Sequence, residues 1–467
     1  MPNVDDLTLS EAAEGIASGE LKPSELLEAF IERIKALNSR INAVITLAEE
    51  ARREAREADR EVGRKNPRRP LHGIPVLIKD TVCTKGIRTT AGSLILKDFV
   101  PDHDATVVGR LKKAGAIIMG KAHTHEFALA GTSINPHYGP CRNPWDVERI
   151  PGGSSGGSAS AVASGMTLLA TGSDSAGSIR IPASFCGVVG LKPTYGSVSR
   201  YGVIPHSWTL CHVGPITKTV EDAALAFNVM RGYDARDPSS IRRRTGVKKS
   251  ELRRTGKLKI GVPEDLLGSS CDPEVERVFR SSLGKIEECG FEIITVNLPL
   301  IRQYSASTRV IIERCEVSSY HDEYYSKYKE LYGDDVRLMI EVGQNFSAVD
   351  YIRALRVRTL IIQEFRSIMK EKRLDALVTP TVPTLPFKIS DIQGDAYGYS
   401  VKYGPVMTLY TAPFTLIGAP AVSVNSGFAG DLPVGLQIVG RFFDEGTILR
   451  IGKAVEDLTP HRKPPLP

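Results

Sequence analysis

Two serine-glycine blocks stand close together in the chain: PGGSSGGSASA at 151–161 and TGSDSAGSIRIPASFCG at 171–187. Glycine-rich turns let backbone N–H groups converge on one point, which is how a site stabilises the oxyanion formed when a serine attacks a carbonyl. Ser175, Ala176, Gly177 and Ser178 are the candidate donors of such an oxyanion hole. Ser178 also opens a predicted helix through Ile179 and Ile181, whose N-terminus adds partial positive charge where an anion would develop. A serine there is placed to act as a nucleophile. A flexible Gly/Ser linker would have polar flanks, whereas these blocks join apolar segments. A phosphate-binding P-loop needs a lysine after its last glycine, and none follows Gly157 or Gly177.

A nucleophilic serine needs a base. None of the nine histidines sits in a G-x-S-x-G context. A lysine serves if burial removes its charge, since desolvation disfavours the ammonium and brings the pKa to roughly 7–8. Lys79, after Val76-Leu77-Ile78, is placed for that. Taken singly, Ser178 reads more readily as a helix N-cap, and Lys79 as a strand-end lysine that reaches solvent or pairs with Asp80. His123 and His125 are two residues apart, but no third ligand has metal-binding spacing, so neither a metal nor a cofactor is implied.

The elements that must position these residues follow from periodicity. Leu26, Leu27, Phe30, Ile31, Ile34 and Leu37 mark a helix after Pro23, and a polar helix follows at 49–62. The apolar run 71–78 is a strand that ends at Lys79. A helix after Thr106 precedes a strand at 116–119, and a small-residue helix at 158–164 precedes one at 167–171. Later strands are predicted at 258–262, 292–296, 376–378, 421–425 and 435–439, with helices at 274–288 and 348–370. Such alternation implies an α/β fold around a mixed, largely parallel sheet. We expect one domain over 1–467, with a helical N-terminal part over about 1–65 and an exposed charged loop over about 233–257.

Further motifs join the serine-glycine blocks: LHGIPVLIKD at 71–80, TTAGS at 89–93, GKAHTHEFA at 120–128, RNPWD at 142–146, CGVVGLKPTYG at 186–196 and GPITKTVEDAA at 214–224. In order, spacing and flanks the chain resembles the amidase signature enzymes over nearly its whole length. The resemblance implies the α/β fold of that family and an amidohydrolase with a Ser-cis-Ser-Lys triad, falling on Ser178, Ser154 and Lys79. Neutral Lys79 would draw a proton through Ser154 from Ser178, which attacks the carboxamide, and Ser154 would pass that proton to the leaving nitrogen. The resemblance also places Ser154 behind a cis peptide bond, gives Ser155, Asp174 and Arg180 a bracing role, and puts Ala128 in the acyl pocket. Two departures stand out: Ala176 replaces a frequent glycine, and Cys211 stands where many relatives carry aspartate.

Two readings of the activity follow. In the first, the chain is a free-standing amidase. In the second, it is the glutaminase component of a tRNA-dependent amidotransferase, its A subunit, and works with partner subunits. The glutamine-binding subunits resemble this chain but carry charges where it has Leu338, Met339 and Thr408, which points to a less polar substrate. Specificity is expected in 304–403, where Tyr320, Tyr324, Tyr325 and Tyr328 either line a mouth or pack. Composition agrees with an enzyme: 42% hydrophobic and 24% charged residues, with a net charge of +6 concentrated near Arg242, Arg243, Arg244, Lys248 and Lys249. Such a run reads as a solvated loop and argues against nucleic acid as a partner unless the amidotransferase reading holds. Seven scattered cysteines without CxxC spacing, an acidic N-terminus and no apolar stretch near the roughly 20 residues of a membrane span indicate a cytoplasmic protein. The expected ligand is a small amide, and a homodimer is left open.

Overall fold

The computed structural model describes residues 6–62, 69–243, 246–254, 256–268 and 271–466. Parts of the expected N-terminal segment (1–5 and 63–65) and of the charged loop (244, 245 and 255) lie outside the described residues. The strands in chain order are β1 (Val44–Leu47), β2 (Pro75–Lys79), β3 (Ile117–Ala122), the small pair β4 (Ile134–Asn135) and β5 (Gly139–Pro140), β6 (Leu169–Asp174), β7 (Val189–Lys192) and β8 (His212–Thr217). They continue as β9 (Lys259–Pro263), β10 (Glu292–Val296), β11 (Ala376–Pro380), β12 (Ala421–Ala429) and β13 (Leu432–Gly440). Eleven of them form one mixed sheet in the order β1-β3-β2-β6-β8-β7-β12-β13-β11-β9-β10. Parallel pairing holds in two blocks, β3-β2-β6 and β11-β9-β10, and antiparallel pairing joins them. Helices cover the sheet, so β2, β3 and β6 are buried along their whole length, as continuous apolar or small-residue strands must be.

The expected helix after Pro23 is Pro23–Ile41, with proline in its first turn and the apolar stripe from Leu26 to Leu37 buried. The strand expected from residue 71 begins at Pro75. Leu71 and Gly73 instead donate their N–H groups to the carbonyls of Ala114 and Gly115 in an irregular lead-in. Across 304–403 run the helices Pro299–Tyr328, Asp334–Gln344 and Ala348–Glu371, then β11 and a series of short helices and turns that reaches Thr408. Tyr320, Tyr324 and Tyr325 pack against an apolar cluster containing Phe127 and Tyr332, whereas Tyr328 is exposed. The mouth is lined by Tyr397 and Tyr399 from the later turns.

Candidate active site

β2 delivers Lys79 to the centre of the molecule. Its amide donates to Thr171 Oγ1 of β6 (3.0 Å), and its side chain has no solvent exposure. Nζ lies 2.8 Å from Ser154 Oγ and 2.9 Å from both Ser155 Oγ and Ser173 Oγ. Burial depresses the ammonium to about 7, and nearby Cys211 and Asp174 only partly oppose that. A neutral amine carries two N–H donors and one lone pair, which three surrounding hydroxyls can match. Ser155 Oγ donates to the Ser173 carbonyl (3.2 Å), so towards Lys79 it acts as an acceptor. The lone pair is thereby available to Ser154 or Ser173. Lys79 does not pair with Asp80. That carboxylate accepts from the Thr90 amide (3.0 Å) and lies near buried Lys121.

The loop before the helix Gly156–Ala163 carries Ser154 behind a cis Gly153–Ser154 peptide. Gly153 is needed there, because a Cβ would meet Ser133 Oγ at 2.7 Å and the Ser133 amide at 2.8 Å. The Ser155 amide donates to the Ser178 carbonyl (3.2 Å), tying the two serine-glycine loops together. The second loop leaves β6 at Asp174 and enters the helix Arg180–Cys186. Both oxygens of Asp174 are used: Oδ1 accepts from the Gly177 amide (2.8 Å) and Arg180 Nη2 (2.9 Å), Oδ2 from the Ile179 amide (3.2 Å) and Arg180 Nε (2.9 Å). Burial alone would raise this carboxyl, but the Arg180 guanidinium outweighs it and holds Asp174 well below the usual carboxylate range. Arg180 in turn donates to the Thr411 carbonyl (3.0 Å). Asp174, Ser155 and Arg180 are thus each hydrogen-bonded within or between the two serine-glycine loops.

The loop corrects one detail. Gly177 N–H is committed to Asp174, so the amides of Ser175, Ala176 and Ser178 are the donors left for an oxyanion. Ser178 and Ala176 are half-buried and open onto a cavity of about 240 Å³ together with Ala128. Ala128 and its neighbour Phe127 hold left-handed backbone, φ 60° and 46°. That conformation is uncommon for such residues and is kept by Phe127 N–H donating to Ala91 O (2.8 Å) and Ala128 N–H to His125 O (2.8 Å). Cys211 is buried behind Ser175, its thiol pushed up by burial while Arg200 and a hydrogen bond with Ser175 act the other way. His123 and His125 have separate partners, the Gly139 carbonyl (2.9 Å) and Asp335 (2.8 Å).

Leu338, Met339 and Thr408 line the same cavity. The inference of a less polar substrate fails, however, because the helix Pro299–Tyr328 brings Arg309, Glu313 and Arg314 to the same wall. His206 joins them, with Nδ1 against the Ala128 carbonyl (2.7 Å) and Nε2 against Glu313 Oε1 (2.9 Å). These residues escaped the sequence reading because charges at i, i+4 and i+5 also describe the solvated face of a helix.

The family model described as Amidase matches residues 25–449. The chain belongs to the amidase signature family. Members hydrolyse amide C–N bonds, and so does this chain. The A subunit of glutamyl-tRNA(Gln) amidotransferase from Moorella thermoacetica is 39% identical, covering 98% of both chains. The solved structure of the corresponding Thermotoga maritima protein is 36% identical with a TM-score of 0.84, covering 99% of this chain and 97% of that one. A structure described as an amidase is 33% identical with a TM-score of 0.85, covering 97% of this chain and all of that one.

Proposed function

We propose that the chain cleaves a carboxamide through an acyl-enzyme on Ser178, with Lys79 as base and Ser154 as proton carrier. The observation that carries this reading is Lys79 Nζ, buried without a carboxylate in its hydrogen-bonding shell, 2.8 Å from Ser154 Oγ in a loop tied to Ser178. As neutral Lys79 takes the Ser154 proton, Ser154 takes that of Ser178. Ser178 Oγ then bonds the carbonyl carbon, and amides of Ser175, Ala176 and Ser178 receive the oxyanion. Collapse breaks the C–N bond as Ser154 protonates the nitrogen, and water releases the acid. A serine-reactive phosphonyl fluoride should label Ser178 in peptide maps. An adduct on Ser154 or Ser155 would reverse the assignment.

The names of the relatives favour a second reading of the context, in which the chain is the glutaminase component of a tRNA-dependent amidotransferase. Its support is broad: amidotransferase A subunits match at 37–39% identity over nearly full length. The free-standing reading rests on Leu338, Met339 and Thr408, where the glutamine-binding subunits carry charges; the charges of this cavity, Arg309, Glu313 and Arg314, come instead from the helix Pro299–Tyr328. Steady-state assay of the purified chain with glutamine and simple primary amides, with and without partner subunits and tRNA, separates the two. Glutaminase activity appearing only in the complex would establish the second. Seven unpaired cysteines support a cytoplasmic setting for either.

A further inference from the structure

We propose that the substrate is the monoamide of a small dicarboxylic acid, held by its free carboxylate on Arg314 and Arg309 and bearing no ammonium beside it. This rests on the amide-hydrolase reading, since it concerns the cavity that opens on Ser178. Two guanidiniums and one carboxylate, all from the helix Pro299–Tyr328, face that cavity. Glu313 is fully engaged: Oε2 accepts from Arg309 Nη1, while Oε1 accepts from Arg314 Nη1 (3.4 Å) and faces His206 Nε2 (2.9 Å). Burial works against a charge on the His206 imidazole, whose two nitrogens face the Ala128 carbonyl and Glu313, and no protonation state of that ring lowers the positive count of the wall. Burial lowers both guanidiniums only to about 10, so both stay charged against one carboxylate, and at least one positive charge is uncompensated among the described residues lining the cavity. Arg309 is 8% exposed, and its Nε has no hydrogen-bond partner.

A buried donor and an uncompensated buried charge are both costly, and a ligand anion relieves the two together. The planar guanidinium fork suits a carboxylate. The same charge count excludes an ammonium at that position, because Glu313 is the only carboxylate among the described residues lining the cavity and is already shared by three nitrogens. Ile181, Val310, Leu338 and Met339 line the same cavity and give it an apolar surface that suits methylenes. A volume of about 240 Å³ lies below the roughly 300–1,000 Å³ of drug-sized sites and calls for a short acyl chain.

The test is calorimetric binding to full-length Ser178→Ala, which cannot turn over the ligand. Succinamate, glutaramate and adipamate are compared with butanamide, pentanamide and hexanamide, and with glutamine. At least one monoamide should bind about tenfold or more tightly than its neutral counterpart and than glutamine, as a charge-assisted bidentate contact predicts. Adding Arg314→Met should erase that advantage and leave neutral-amide affinity within about twofold. Arg314→Lys, a milder change, should weaken the best monoamide while sparing its neutral partner. The proposal is overturned if no monoamide outperforms its neutral partner, if glutamine binds more tightly than glutaramate, or if the advantage survives in Arg314→Met. Phosphonyl fluoride labelling of wild type is read separately. A protein labelled on Ser178 without carboxylate preference loses this proposal alone, and one that prefers the carboxylate but is not labelled loses the catalytic assignment alone.

Discussion

Lys79 has three hydroxyls and no carboxylate among the described residues in hydrogen-bonding range, neighbours that suit the base we propose it to be. Without a counter-charge in hydrogen-bonding range, burial brings its pKa to about 7. The amine works only when neutral, so kcat/KM should rise with pH through about 7 and level off above it. Lys79→Ala should lose roughly 10²–10⁴ in rate along with this acid limb, and Lys79→Ala/Ser178→Ala should lose little beyond the worse single variant. A variant with near-normal activity and an unchanged limb would show that another group is the base. The same depression has a stability consequence. Between about 7 and the unfolded value of about 10.4, the unfolded chain binds the proton that the folded chain has lost, so stability rises with pH across that window. Chemical denaturation at pH 7 and pH 9.5 should show a larger increment in wild type than in Lys79→Met, where buried Lys121 and Lys192 still contribute a rise of the same sign. Arg180 differs in having a buried carboxylate, Asp174, as its partner. Arg180→Met would leave Asp174 as an uncompensated buried carboxylate, at a cost of roughly 3–5 kcal/mol measurable by urea unfolding.

At the scale of elements, the proposed catalytic groups come from the ends of two adjacent parallel strands and the loops beside them. β2 ends in Lys79 and β6 ends in Asp174, while the helices Gly156–Ala163 and Arg180–Cys186 follow loops carrying Ser154 and Ser178. Gly177 makes the second loop feasible. Its φ of 135° is unfavourable for any side chain, and a Cβ would meet Thr411 Oγ1 at 2.3 Å. Gly177→Ala should therefore destabilise the fold by roughly 1–3 kcal/mol and depress kcat more than KM, because it displaces the amides on either side. Unchanged kcat in Gly177→Ala would count against placing the oxyanion at this loop.

Across the whole molecule, the N-terminal helices are fastened to the sheet layer from outside. Asp222, in the helix Val220–Met230, accepts from the amides of Leu9 (3.2 Å) and Ser10 (2.9 Å), two of the donors that the first turn of Leu9–Ser18 leaves unpaired. Asp222→Ala should loosen that helix by about 1–3 kcal/mol and expose the first twenty residues to limited proteolysis, with kcat/KM for a simple amide retained. Loss of activity in step with proteolysis would mean that this layer also supports the site.

The sequence by itself determined what strand and turn chemistry encode locally. The apolar run into Lys79, the two serine-glycine loops and the helix periodicities read after Pro23 and at 274–288 and 348–370 are short-range patterns, and the structure realises them within a few residues. β7 and β8 escaped because they are short, rich in small residues and buried on both faces, so no alternation marks them. Only the tertiary structure decided the character of the substrate pocket. Arg309, Glu313 and Arg314 lie more than 130 residues from Ser178, and nothing in their spacing separates a solvent-facing helix surface from a cavity wall. Whether a charge meets water or a substrate depends on what packs opposite it, and that is a property of the assembled sheet and helices.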